Sequence, residues 1–175
     1  MRRRTFDMIV SSVGYLLTVV LLVAGVLAYW GASFANDSVK EQLVAQKVTF
    51  PEESGLPDEL KSYAGMQVTT GEEARAYSDY IQGHLNNMSG GRTYSEVSGE
   101  WIAGGMQDAN LGQLRETLFM GETLRGLLLN AYAFGTIAQI AMIAAFALFG
   151  AAAVMLVLSI LGTMHARRTP ETAAI

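Results

Sequence analysis

Two histidines, His84 and His165, and no cysteine are all that this chain offers to a soft metal or to thiolate chemistry. Zinc sites draw on clusters of Cys and His, and haem attachment through a Cys-x-x-Cys-His motif needs the missing cysteines. His84 falls on or beside a helical stripe of Tyr77, Ile81 and Met88, where a lone imidazole reads as a packed or hydrogen-bonded residue. Glu96 and Glu100 would share one face of a helix, the arrangement used for acid–base work or cation binding. Arg92, one turn earlier, can pair with Glu96, so the group reads as a solvated surface cluster. Ser11, Ser12 and Ser159 stand in apolar runs without a base near them in sequence, which suits helix packing better than nucleophilic attack. Glu122 and Arg125 are one turn apart and predict a mutual ion pair. The glycine pairs 90/91 and 104/105 do not follow strands and read as helix ends, not phosphate loops. The expectation is therefore no catalytic residue, no metal and no cofactor.

The elements that would carry these residues are set by two charge-free runs, residues 8–30 and 126–166. A stretch of about 20 apolar residues crosses the roughly 30 Å hydrocarbon core as a helix, because lipid cannot hydrogen-bond exposed peptide groups. Arg2, Arg3 and Arg4 precede the first run, and Arg167 and Arg168 follow the second. Cations on the terminal sides only predict a two-pass topology with both termini cytoplasmic and residues 36–125 extracytoplasmic. The first run holds 23 residues, beyond the roughly 7 to 15 of a signal-peptide core, and reads as a retained span. The segment between the runs holds 14 acids against 7 bases. Such a surface repels polyanions, and no basic patch exists beyond the topology-setting arginines, which argues against nucleic-acid binding. The segment is large enough for one small domain, near the limit of an independent core, and without a disulfide.

Along the chain, Tyr29 and Trp30 end the first run as aromatic anchors. Residues 36–47 lack Gly and Pro and place Val39, Leu43 and Val44 at helical spacing, so the span is expected to continue outward as a stalk until Val48, Thr49, Phe50 and Pro51 stop it. A short helix over 57–64 follows, ended by Gly65. Thr70 with Glu73, and Thr93 with Glu96, have capping-box spacing and predict helices over about 71–88 and 94–102. Leu111, Leu114 and Leu118 open a stalk that enters the second run. That run exceeds one simple crossing, which places the span itself near 136–161 and residues 127–134 in the outer domain. A hairpin of two crossings would instead need a turn near Gly150, in a stretch without Pro, Asn or charge.

The fold expected is all-α: transmembrane helices at 8–34 and within 127–164, extended outward as stalks, with a small helical extracytoplasmic domain over 35–126 and short tails at 1–7 and 165–175. Ala24 with Ala28, Ala141 with Ala145, and Ala147 with Ala151 are small residues four apart, which lets helix backbones approach; they are the candidate helix-packing positions. No acidic or basic residue lies in either span, which argues against an ion pathway.

Four segments taken together, residues 7–34 (DMIVSSVGYLLTVVLLVAGVLAYWGASF), 41–51 (EQLVAQKVTFP), 63–85 (YAGMQVTTGEEARAYSDYIQGHL) and 117–141 (TLFMGETLRGLLLNAYAFGTIAQIA), resemble an actinobacterial family of two-span membrane proteins. Many of its members carry the label aromatic ring-opening dioxygenase. The resemblance covers almost the whole chain and implies a plasma-membrane location with the domain on the outer face. It supplies no catalytic residues, since ring-opening dioxygenases hold non-haem iron, commonly with two His and a carboxylate, and the outer segment has only His84. The role expected is a non-enzymatic accessory or scaffolding subunit of a larger cell-envelope complex, respiratory or wall-related, whose partners are the lipid bilayer and a membrane protein or further copies of itself. The alternative is an extracytoplasmic ligand sensor, which would need a signalling partner because the tails are too short for an output domain.

Overall fold

The computed structural model describes residues 3–168 and 170; residues 1, 2, 169 and 171–175, parts of the expected cytoplasmic tails, lie outside the described residues. Among the described residues four α-helices make the fold: α1 (Arg3–Gln46), α2 (Gly71–Ser89), α3 (Tyr94–Ala103) and α4 (Ala109–Arg168). Two 3-10 turns, Glu53–Gly55 and Asp58–Tyr63, lie between α1 and α2. Thus α1 continues for 44 residues, past the aromatic end of its apolar run, and stops where Lys47 takes a φ of 53°. The 60 residues of α4 are unbroken at Gly150 as elsewhere, so no hairpin forms there. Nothing in that Ala-rich stretch competes with the helical hydrogen bonds.

Both helices are long and apolar enough to cross a membrane, and in their most apolar windows only 22% and 11% of the residues are buried. The chain divides into two compact units, and both long helices contribute to each. One unit joins α1 up to Phe34 with α4 from Ala138. Each arm is roughly 46 Å or slightly longer at 1.5 Å per residue, close to the thickness of a bilayer with its headgroups. Ser11 meets Gly162, Gly14 meets Ser159, and Gly25 meets Phe149, so the arms pair antiparallel.

The other unit, Ala35–Ile137, has a conventional apolar core. Val39 and Leu43 of α1, Phe50, Leu56, Val68, Ala74 and Ala76 of α2, and Leu128 of α4 form one buried cluster; Leu85, Val97 and Leu118 form a second. Each fully buried large apolar side chain contributes roughly 1.5–3 kcal/mol. The Val48–Phe50 stretch is held extended by an antiparallel bridge between Thr49 and Gln67, with Phe50 N–H donating to Met66 O and Val68 N–H to Val48 O, each at 2.9 Å. That pairing turns Phe50 inward, where it stacks on Tyr63 at 5.1 Å and meets Tyr77 edge-on at 5.0 Å.

Helix ends follow local chemistry. Both predicted capping boxes are present, at Thr70/Glu73 and Thr93/Glu96. Asp108 opens α4, its Oδ1 accepting from the N–H groups of Asn110 and Leu111. At α2, Gly71 takes the place of a side chain: a Cβ there would stand 3.2 Å from Ala131 O and Tyr132 Cα, and one at Gly135 would stand 3.3 Å from Gly71 Cα. The two helices touch backbone to backbone at that point.

Candidate functional site

The feature with the clearest construction is the seam between the two arms of the first unit. Its buried positions on α1 are Ser11, Thr18, Gly25 and Ala32, with Gly14 beside them; on α4 they are Ala138, Ala145, Ala152, Ser159 and Ala166. In both helices the buried residue recurs at every seventh position, and each is small. Seven residues make nearly two turns, so this repeat keeps one stripe facing the partner if the helices wind gently about each other. Small side chains then allow the backbones to approach. A Cβ on Gly14 would collide with Ser159 Oγ, one on Gly25 would lie 2.7 Å from the Phe149 ring, and one on Gly162 would lie 2.5 Å from Ser11 Oγ.

Of the residues chosen by four-residue spacing, the structure brings Ala145 into the seam, leaves Ala24, Ala28 and Ala141 half-buried, and places Ala147 and Ala151 on the exposed side of α4. Four-residue spacing selects pairs on any face of a helix, whereas the seven-residue repeat of small residues marks the face actually used. That repeat is present in the sequence and is the signal by which the seam could be found.

The hydroxyls in and beside the seam bond to their own helices. Ser11 donates to Asp7 O at 2.8 Å, Thr18 to Gly14 O at 2.9 Å, Ser159 to Met155 O at 2.8 Å and Thr163 to Ser159 O at 2.9 Å. Turned back on the preceding turn, such a group needs no water. Tyr15 Oη lies 3.2 Å from Thr163 Oγ1, a hydrogen bond between the arms. Tyr29 and Phe146 add an edge-on ring contact at 6.5 Å.

The residues considered for chemistry are placed as follows. His84 is exposed, its ring 6.0 Å from that of Tyr80, not packed in the core as expected; α2 turns Ala74, Ser78 and Leu85 inward instead. Arg92 pairs with Glu100 at 2.7 Å and not with Glu96. The reason is that the Glu96 carboxylate is already held by the N–H and hydroxyl of Thr93, at 2.7 and 2.9 Å. Those two bonds, with a smaller contribution from Arg92, lower the Glu96 pKa against a small opposing effect of burial. At Glu73 burial acts upward most strongly as a single cause, but hydrogen bonds from Thr69 and Thr70 together outweigh it and lower the pKa. Burial, and then the neighbouring Tyr80, raise that of Tyr77. Arg125 pairs with Glu122 and also donates through Nε to Ser78 O at 3.3 Å, tying α4 to α2. Among the described residues no three of His, Asp and Glu gather closely enough to hold a metal ion.

Two contacts have no local sequence signal because they join distant positions. Arg75 donates to Tyr132 Oη at 2.9 Å while lying over the same ring. Arg115 of α4 lies over the ring of Trp101 of α3, 4.5 Å from its centroid. Comparison with known proteins finds no likeness, since no protein-family model, no curated protein and no solved structure matches the chain.

Proposed function

We propose that the chain is a two-pass plasma-membrane protein with both termini cytoplasmic and residues 36–125 outside, and that it serves as a non-enzymatic accessory or scaffolding subunit of a larger cell-envelope complex. One observation carries the membrane reading: the first unit is apolar on the outside. Leu16 is 64% exposed, Trp30 66% and Ile143 70%, while Ser11, Thr18 and Ser159 are buried. Water would not tolerate that surface, which is far more than the scattered apolar residues of a soluble protein. A core helix of a soluble protein would have its apolar stretch buried instead. Arginines on the terminal sides of both runs support the orientation, and the resemblance to an actinobacterial two-span family supports the location.

The scaffolding role is supported by the chemistry of the side chains. The hydroxyls of the seam are engaged with backbone carbonyls, Glu73 and Glu96 serve as helix caps, and the pairing surface is built for close packing. The protein presents a small acidic helical unit and two lipid-facing helices to whatever assembles with it.

Topology is tested with single cysteines in this cysteine-free chain. Ser54→Cys should react with an impermeant thiol reagent on intact cells and Thr5→Cys should not; the reverse pattern overturns the orientation. The subunit role is tested by native mass spectrometry after extraction in mild detergent. A stoichiometric assembly with another membrane protein or with further copies is expected, and a lone monomer under all conditions overturns it.

A further inference from the structure

The unit Ala35–Ile137 contains four arginines, and three of them have acceptors. Arg75 bonds Tyr132 Oη; Arg92 bonds Ser89 O and Glu100; Arg125 bonds Ser78 O and Glu122. Arg115 meets no acceptor among the described residues, and its Nε is buried without one. This is unexpected in a segment with 14 acids against 7 bases. The carboxylates closest in sequence to Trp101 and to the start of α4 are otherwise engaged: Glu100 is held by Arg92, and Asp108 Oδ1 caps α4. Glu116, next in sequence, is exposed and makes no ion pair with Arg115.

The unpaired guanidinium is held in place. Helix α3 ends in a turn where Met106 N–H donates to Trp101 O at 2.9 Å and Gly105 N–H to Ile102 O at 3.0 Å, with Gly105 at φ +72°. This double bond pattern is the common left-handed helix stop, and it anchors the backbone of Trp101. On α4, Gly112 leaves room for the indole edge, since a Cβ there would stand 3.2 Å from Trp101 Nε1. Arg115, one turn along the same face, covers the ring. The indole N–H, like the guanidinium, has no hydrogen-bond acceptor among the described residues. A cation lying over an aromatic face keeps its terminal N–H donors for a second partner, and a two-oxygen anion matches the edge formed by the two Nη groups.

We propose that Trp101 and Arg115 form an oxyanion-binding site on the Ala35–Ile137 unit, taking a carboxylate or phosphate group from a molecule other than this chain. The acidic surroundings give no long-range attraction, so binding rests on short, directed contacts to the terminal Nη groups of Arg115, its Nε being buried, and to the indole N–H. The inference does not depend on the scaffolding role.

The test uses the full chain in detergent with Trp30→Phe, which leaves Trp101 as the sole tryptophan. Its fluorescence is titrated with sodium phosphate, sodium acetate and sodium chloride at constant ionic strength. A saturable change with phosphate or acetate, half-complete on the order of 1 mM and absent with chloride, is expected; whichever salt acts identifies the group. Arg115→Ala should abolish it, Arg115→Lys should weaken it roughly tenfold because a point charge replaces the fork, and Lys61→Ala, which removes a cation paired elsewhere with Asp58, should leave it in place. Should Arg115→Ala fail to fold, Arg115→Lys carries the comparison. No saturable response to either oxyanion, or an undiminished one in the Arg115 variants, overturns the proposal.

Discussion

The unit formed by the ends of the two long helices and the unit Ala35–Ile137 obey opposite burial rules. In the first, Thr18, Gly25, Ala145 and Ala152 are buried while Leu16, Leu27 and Ile143 face out; in the second, Val68, Val97 and Leu118 are buried and the charges are outside. What differs is the work done by burial. In water, removing apolar area contributes about 25 cal/mol per Å². Between helices in lipid that term disappears, and close backbone approach takes its place. Size, not polarity, then decides which side chain goes inside. The same chain therefore carries two surfaces of opposite character, one apolar and one charged.

The contrast can be broken or sharpened by experiment. The largest effect is expected from cutting the second unit short. Leu128 and Ala131 of α4 complete its main cluster and Gly135 seats α2, so a fragment of residues 36–125 should lack a cooperative urea transition and near-ultraviolet dichroism, while residues 35–137 should regain both. A cooperative short fragment would mean that the unit does not need α4 at all. Next, Val20→Lys, at an outward position of α1, should cost about 2.5–3.5 kcal/mol of membrane insertion, whereas Met88→Lys at an equally exposed site of the second unit should be near neutral. Equal tolerance of both in an insertion assay would remove the distinction between the two surfaces.

A smaller effect is expected at the seam. Gly14→Val should destabilise the helix pair by about 1–3 kcal/mol through overpacking, measured by detergent-induced unfolding; Gly150→Val, where nothing stands within 4 Å, should not. The smallest belongs to Glu73. Its folded pKa is lowered from 4.5, so its stabilisation is complete above that value and is lost as pH falls through the folded pKa. Glu73→Gln should cost about 0.3–1 kcal/mol at neutral pH, the worth of a negative charge in the first turn of a helix, and should flatten the acid limb of the stability–pH curve. An unchanged limb would assign the acid sensitivity elsewhere.

Helix starts were the most legible parts of this sequence, because Thr70 with Glu73 and Thr93 with Glu96 satisfy the first turn with groups three residues away. The two long apolar helices were equally plain, since length and absence of charge are local properties. The pairings between elements were not. Arg92 chooses Glu100 only because Glu96 is engaged in capping, and the inward face of α2 excludes His84 only because α4 lies along Ser78 and Leu85. Gln67 pairs with Thr49 across a loop whose path no spacing predicts. The Trp101–Arg115 stack likewise depends on how α3 turns into α4.

The contact between Gly71 and Gly135 has a consequence for descent. A Cβ at Gly71 would stand 3.2 Å from Ala131 O and Tyr132 Cα, and one at Gly135 would stand 3.3 Å from Gly71 Cα. Shortening a neighbouring side chain would not relieve either contact, because the atoms pressed upon are backbone, so the helices themselves would have to give by a few tenths of an ångström. A lineage that has brought these two backbones together can add a side chain at either position only by easing the helices slightly apart, so the two positions are constrained together although two codons specify them.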